Sequence, residues 1–255
     1  MSLFPPNTSR SQKLGIWRSL LIYYGVPGRQ RKLTRFYRQL IRPGDLCFDI
    51  GAHVGDRVNI WRKLGARVVA VEPQPLCAHL LRRWYGADAG VTLAPVAVAA
   101  QPGEMVLHIS PRTPTVTTLS TEWMADVQQV ASFADVRWDA QTTVPVTTLD
   151  ALIDQWGLPA YCKIDVEGFE LEVLRGLSQP LQLLSFEYIP AAMPVALNCV
   201  ARLMALGHYE FNWFPGETHR FQSADWLTSE QMVQILNDMP SHANSGDIYA
   251  RLLDL

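Results

Sequence analysis

The sequence predicts an α/β fold: a doubly wound, mostly parallel sheet of seven strands with a helical extension ahead of it. Three observations carry this. Leu46-Cys47-Phe48-Asp49-Ile50 is a short apolar run ending in Gly51-Ala52-His53-Val54-Gly55, and after a helical pattern Val68-Val69-Ala70-Val71-Glu72 repeats the design. This is a strand, glycine-rich turn, helix and second strand, a unit that binds ligands at its carboxyl edge. Strand-like and helix-like segments then continue to alternate, which favours parallel pairing. Finally, Cys162-Lys163-Ile164-Asp165-Val166-Glu167-Gly168 is a further strand running into acids and a glycine.

Taken in order, residues 1–10 read as disordered, with turn material at Pro5-Pro6-Asn7. Helices are expected at 11–24 and 29–41, separated by Gly25-Val26-Pro27-Gly28. Strands follow at 46–50, 67–72 and 91–98, with helices at 54–64 and 75–85. Pro102-Gly103 turns into an extra strand at 104–109. Residues 110–140 read as an exposed loop with one helix from 121 to 132, and 144–147 as a short extended piece. Thr148 is placed to cap a helix reaching 156. Strands at 161–166, 182–189, 208–214 and 247–252 alternate with helices ending near 175, 206 and 238, one of the last two strands running antiparallel. The domains are then a basic helical extension, 1–42, and the main body, 43–255.

Composition narrows the class. The hydrophobic share of 48% and charged share of 18% are globular values. No apolar run approaches the ~18 residues of a membrane span, and the first residues lack the apolar core and cleavage site of a secretory signal. Cys47, Cys77, Cys162 and Cys199 are scattered rather than paired, which suits a reducing cytoplasm and argues against a zinc site. Net charge is −2, but residues 1–42 carry nine bases and no acid, so the remainder carries 13 bases and 24 acids. That acidic remainder disfavours a nucleic-acid substrate. The basic leader, with Ile16, Trp17, Leu20, Leu21, Tyr23 and Tyr24, reads first as a helical lid docked on the acidic body. Peripheral contact with an anionic membrane is its alternative.

The turn identifies a cofactor class. Glu72 lies 21 residues after Gly51, where such units place the carboxylate that grips a ribose. His53 stands where a dinucleotide fold has its middle glycine, and Asp49 puts a negative charge beside the loop. A carboxylate there repels a pyrophosphate and attracts a sulfonium or an α-ammonium group. These are the charges of S-adenosylmethionine, with NAD ranked second. A tight turn without a ligand is the plain alternative.

At the second site, Lys163 and Asp165 share one face of their strand. Glu167 opens the next helix, and Glu187 ends the neighbouring strand in Ser185-Phe186-Glu187-Tyr188. Three readings of this cluster stand side by side. It supplies a general base for a hydroxyl acceptor, it holds Mg²⁺ through carboxylate oxygens, or it is an ion pair of Lys163 with Asp165 or Glu187 plus a capping Glu167. No residue is assigned as a metal ligand. His53 is a second candidate base or a turn residue.

These segments resemble the FkbM-type family of S-adenosylmethionine-dependent methyltransferases. The matching pieces are Phe48–Asp56, Val69–Pro73, Val96–Val98, Thr117–Ser120, Val144–Asp150 and Lys163–Glu170 with Leu174-Arg175-Gly176, covering about residues 44 to 190. His53 departs from the asparagine common in that family. The resemblance implies a Rossmann-like sheet of the class I methyltransferase type and methyl transfer to a hydroxyl on a sugar, glycan or polyketide-like acceptor. It implies a donor site of Asp49, Gly51, Ala52, His53, Gly55, Glu72, Pro73, Ala97 and Asp165. Within it Asp49, Gly51 and Gly55 surround the methionine part, Glu72 takes the ribose and Ala97 meets the adenine. The reaction side falls to Asp165, Glu167, Glu187 and His53. Trp123 and Trp138 are candidates to cover an acceptor, and Trp213 and Phe214 to stack on a sugar ring, with filling the core as their plain alternative. A non-catalytic adenosyl-binding module and an NAD-dependent oxidoreductase remain the alternatives.

Overall fold

The computed structural model describes residues 3–130 and 133–253. Its centre is a seven-stranded sheet in the order β3-β2-β1-β7-β8-β10-β9. The strands are β1 (Leu46–Ile50), β2 (Arg67–Val71), β3 (Val91–Ala94), β7 (Tyr161–Ile164), β8 (Leu183–Tyr188), β9 (Tyr209–Pro215) and β10 (Gly246–Leu252). Neighbours from β3 to β8 pair in parallel, and β10 inserts antiparallel between β8 and β9. Every residue of β1 and β7 is buried, as parallel strands covered on both faces require.

Side-chain alternation assigns the two faces. Leu46, Phe48, Ile50, Cys162, Ile164, Leu184 and Phe186 point to the face covered by α6 (Leu149–Trp156), α7 (Glu170–Arg175), α8 (Met193–Leu206) and α9 (Ser229–Asp238). Cys47, Val68, Ala70, Tyr161 and Tyr249 point to the opposite face, under α2 (Arg29–Tyr37) and α3 (Asp56–Lys63). There α2 buries Leu33, Phe36 and Tyr37 in the same cluster as the sheet. The Phe36 ring sits 5.2–5.4 Å from those of Phe214, Phe221 and Tyr249.

Ahead of α2, α1 (Arg10–Tyr24) starts in a capping box: the Ser9 hydroxyl accepts from the Gln12 N–H, and the Gln12 side chain accepts from the Ser9 N–H. Residues 3–10 are therefore ordered, with Thr8 turned back on the Pro5 carbonyl at 2.8 Å, which corrects the expected disorder there. Residues 1 and 2 lie outside the described residues. Ile16 of α1 packs with Val54, Cys77 and Leu80, the last two on α4 (Pro75–Tyr85).

Two expectations fail where a second sheet forms. The strand foreseen at 91–98 is broken at Pro95, which has no N–H for the ladder. Its second half, β4 (Ala97–Val98), joins β5 (Gly103–Ile109) and β6 (Ala140–Thr147) in the order β4-β6-β5. The piece foreseen at 144–147 is the end of an eight-residue strand paired antiparallel along β5. The intervening segment is packed rather than loose. It carries a 3-10 turn at Pro114–Val116 and α5 (Thr121–Val127), with Trp123 buried against Phe133 and Trp138. The helix foreseen to 132 stops at Val127, and 131 and 132 lie outside the described residues. As expected, Thr148 caps α6, accepting from the Ala151 N–H at 3.1 Å. No helix among the described residues is long and apolar enough to cross a membrane.

Candidate active site

The cleft lies at the carboxyl edge of the parallel strands, on the α1–α3 side. Its first wall is the turn after β1. Gly51 adopts φ +91°, and a Cβ there would lie 1.9 Å from the Asp165 carbonyl oxygen, so only glycine lets the turns after β1 and β7 meet. The Gly51 and Ala52 N–H groups bond the Val71 carbonyl, fastening the turn to β2. His53, at φ +47°, donates its backbone N–H to Glu72 Oε2 at 2.7 Å, and Gln74 donates its own to Oε1 at 2.7 Å. Burial pushes the Glu72 carboxyl up to about 7 against these two bonds.

Gly51, His53, Glu72, Pro73 and Ala97 line the cleft; Asp49, Ala52 and Gly55 do not. Asp49 is buried on β1 opposite Lys163, and its Oδ2 has no hydrogen-bond partner among the described residues. Burial, then the charge of Asp56, raises its carboxyl to about 7. Gly55, at φ +72°, packs against Leu81 and Tyr85 at the start of α3. The His53 ring meets Tyr23 of α1 edge-on at 5.9 Å and lies 3.5 Å from Cys77 Sγ. Burial lowers the imidazole to about 4, which leaves it neutral at neutral pH.

The second wall is the end of β7 and β8. One carboxylate oxygen each from Asp165, Glu167 and Glu187 lies within 4.8 Å of the others. Glu167 takes φ +55°, and Gly168 takes φ +86° with the Trp123 ring where a Cβ would stand, 2.2 Å away. Glu170 fixes this turn, accepting from the N–H groups of Val166 at 3.0 Å and Gly168 at 3.3 Å. The Thr118 hydroxyl closes it on the Glu167 carbonyl at 2.7 Å. Burial and then the neighbouring acids push the carboxyls of Glu167 and Glu187 well above the ordinary range. Glu187 Oε2 is buried with no hydrogen-bond partner among the described residues.

Lys163 balances part of this charge. Its Nζ is 2.9 Å from Asp165 Oδ2 and 3.1 Å from Asp247 Oδ1. Burial alone would discharge the ammonium, but the two acids outweigh it and hold Lys163 well above the usual lysine range. The ion pair expected with Asp165 is present; its second acid is Asp247 of β10 rather than Glu187. A second cluster closes the cleft beside α2. Arg29 reaches Asp56 at 3.1 Å and Glu217 at 2.9 Å, Arg57 pairs with Asp56 and lies 3.6 Å from Glu217, and His219 meets Glu217 at 2.7 Å.

Sequence reasoning missed Arg57, Glu217 and Asp247 and named Tyr23 only as part of the docked leader; all four line the cleft. None belongs to a short motif. The one available signal was pairing arithmetic, since a buried lysine flanked by several acids needs partners from other strands. The aromatic expectations are corrected. Trp123 and Phe214 are buried in the core, and the Trp138 indole donates to the Val116 carbonyl at 2.7 Å. Trp213 lies against Tyr188 and lines a separate apolar groove with Ile235 and Met239.

A glycine turn, a carboxylate after the second strand, and a sheet with one antiparallel strand inserted beside the edge define a Rossmann-like protein of the class I methyltransferase type. The chain belongs to the FkbM methyltransferase family: the family described as methyltransferase FkbM domain matches residues 49–195. It is an S-adenosylmethionine-dependent methyltransferase, which removes the NAD-dependent and non-catalytic alternatives. Similar solved structures include precorrin-6y C5,15-methyltransferase from Geobacter metallireducens GS-15, with 13% identity, 88% of this chain and 87% of that one covered, and a TM-score of 0.44. Another is SMU.1697c, a putative methyltransferase from Streptococcus mutans in complex with SAH, with 11% identity, 86% and 95% covered, and a TM-score of 0.42. An rRNA methylase from Streptococcus thermophilus gives 9% identity, 87% and 94% covered, and 0.44. No curated protein sequence matches the chain.

Proposed function

We propose that the chain methylates an oxygen, a hydroxyl of a sugar, glycan or polyketide-like acceptor, and that Glu187, supported by Asp165 and Glu167, receives the hydroxyl proton. The observation that carries this is the convergence of three carboxylates within 4.8 Å on the wall facing the glycine turn. The acceptor oxygen attacks the methyl carbon, the carbon–sulfur bond breaks with its electron pair going to sulfur, and the acceptor proton passes to a carboxylate. The sulfonium is already reactive, so positioning and water exclusion supply most of the remaining acceleration. A carboxylate with a raised pKa is a stronger base than an ordinary one in the fraction that is ionised.

For the donor, Glu72 keeps lone pairs beyond those used by His53 and Gln74, enough to accept from two ribose hydroxyls. Pro73 and Ala97 would border the adenine. Gly51 and His53 would border the methionine part, with Ala52 and Gly55 shaping the turn from behind. Asp49 and Asp165 supply negative charge toward the sulfonium and ammonium. Tyr23 roofs this half of the cleft.

The same three oxygens suit a divalent cation such as Mg²⁺, which prefers carboxylate ligands and lowers the pKa of a bound hydroxyl. Activity lost in chelator and restored by Mg²⁺ supports that second reading, and full activity in chelator ends it. We place the protein in a reducing cytoplasm on its four buried free cysteines. A nucleic-acid acceptor is disfavoured by the acidic balance beyond residue 42.

The test is transfer of a labelled methyl group to a panel of hydroxylated acceptors, with nucleic acid and amine acceptors beside them. Transfer to hydroxyls that Glu187→Gln slows supports the proposal. Transfer only to nitrogen, carbon or nucleic acid would overturn the acceptor class.

A further inference from the structure

Helix α1 is apolar on two opposite faces. Ile16 and Tyr23 turn inward, to the α4 cluster and the cleft. Leu14, Trp17 and Leu21, spaced i, i+3 and i+7, turn outward and are 67%, 56% and 70% exposed. The exposed apolar surface continues through Ile22, near the end of the helix, and Val26 beyond it, 45% and 53% exposed. It reaches α4, where the Trp84 ring meets that of Tyr24 at 6.4 Å. Scattered exposed apolar residues are ordinary, but a row of them along one helix face, with Trp84 beside its end, marks a contact surface.

The charge around the patch identifies what covers it. Residues 1–42 hold nine bases and no acid. By helical spacing Arg10 lies in line with the apolar stripe one turn before Leu14, and Arg18 lies beside it; both are exposed. Arg18 reaches the Thr113 hydroxyl at 3.3 Å rather than an acid. Arg82 and Arg83 precede Trp84 on α4, which contains no acid. Two copies of the chain joined here would set like charges face to face. A nucleic acid would match the bases and leave Leu14, Trp17 and Leu21 in water. An anionic lipid surface meets both demands, with apolar side chains below the headgroups, arginines at phosphate level and tryptophan at the boundary.

We propose that α1 docks the enzyme on an anionic membrane surface through Leu14, Trp17 and Leu21 and the arginines beside them, while its inner face stays on the cleft. This goes beyond the methyl-transfer reading and does not depend on it, because neither the donor turn nor the acids contribute to the surface.

Co-sedimentation of the full chain with vesicles tests it, using phosphatidylcholine alone and phosphatidylcholine mixed with phosphatidylglycerol. The chain should bind the mixed vesicles at least about tenfold more tightly than the neutral ones. The triple variant Leu14→Ser, Trp17→Ser, Leu21→Ser should lose about tenfold or more. The pair Arg10→Glu, Arg18→Glu should fall to the neutral-vesicle level, and it leaves apolar packing untouched should the triple variant fail to fold. Donor affinity measured by calorimetry should stay unchanged in both variants. Failure of the wild-type chain to sediment with anionic vesicles overturns the proposal, as does undiminished binding by the triple variant. A dimer that the triple variant abolishes, without vesicle binding, assigns the patch to a second copy and equally overturns it.

Discussion

On the β1–β2 side of the cleft, Glu72 has both oxygens engaged by backbone N–H groups and its turn is fastened to β2 through the Val71 carbonyl. On the β7–β8 side, three carboxylates crowd within 4.8 Å and Glu187 Oε2 has no partner among the described residues. One wall is organised by its own backbone. The other holds like charges together through the frame of two strands, the Glu170-fixed turn and Lys163. A wall whose acid is held by its own backbone keeps its shape without a ligand, as a site for an invariant donor should. A wall with open carboxylate oxygens is unstable on its own terms, which is the kind of strain the proposed acceptor chemistry would account for.

The contact between the walls is the place to break this arrangement most severely. Gly51→Ala combines a positive φ with a Cβ 1.9 Å from the Asp165 carbonyl. It should cost more than about 3 kcal/mol in denaturant unfolding and abolish donor binding in calorimetry. Gly44→Ala is the control: it shares φ +92° but has nothing within 4 Å of the added methyl, so about 1–2 kcal/mol is expected. Equal losses at the two positions would mean that backbone strain, not the meeting of the walls, is the constraint.

The second wall alone is probed by Glu187→Gln, which keeps shape and removes the proposed base. The rate of methyl transfer should fall about 10²–10⁴-fold while donor affinity changes less than about threefold. A full-rate variant would remove Glu187 from the chemistry. A variant that loses donor affinity instead would move Glu187 to the first wall.

The first wall was the more legible of the two in the sequence, for a physical reason. Its parts lie within the stretch from Asp49 to Glu72, and a glycine turn between buried strands leaves a local pattern. The acids at 165, 167 and 187 were also visible because they lie at or just past the ends of two neighbouring strands on one edge. What closes the site was hidden. Asp247 meets Lys163 across 84 residues, and Tyr23 comes from a helix whose pattern shows two apolar faces rather than one. The second sheet was hidden for another reason. Pro95 divides an otherwise continuous β pattern, and the polar first half of β6 reads as loop until β5 pairs with it.

Titration separates the walls more gently. Asp49 and Glu72 both carry carboxyls near 7, raised first by burial from ordinary values of 3.8 and 4.5. The folded chain then binds more protons than the unfolded chain between about pH 4 and pH 7. Their contribution to stability is therefore fully present below the unfolded values and is lost as pH rises through 7. Between these limits Glu72→Gln should escape about 3 kcal/mol of the loss that the wild-type chain suffers, read from denaturant midpoints across pH. Parallel pH profiles for the two proteins would show that Glu72 is ionised throughout.

The smallest expected effect decides between the walls as the source of the base. His53 serves the turn through its backbone N–H, and its φ of +47° is a conformation that asparagine also tolerates. Its ring is neutral at neutral pH and contributes the edge contact with Tyr23, worth about 0.5–1.5 kcal/mol. His53→Asn should therefore weaken donor binding only a few-fold and leave the rate within about threefold if a carboxylate takes the proton. A fall of about 10²-fold with donor affinity intact would place the base on the first wall and reduce the three acids to scaffold or cation ligands.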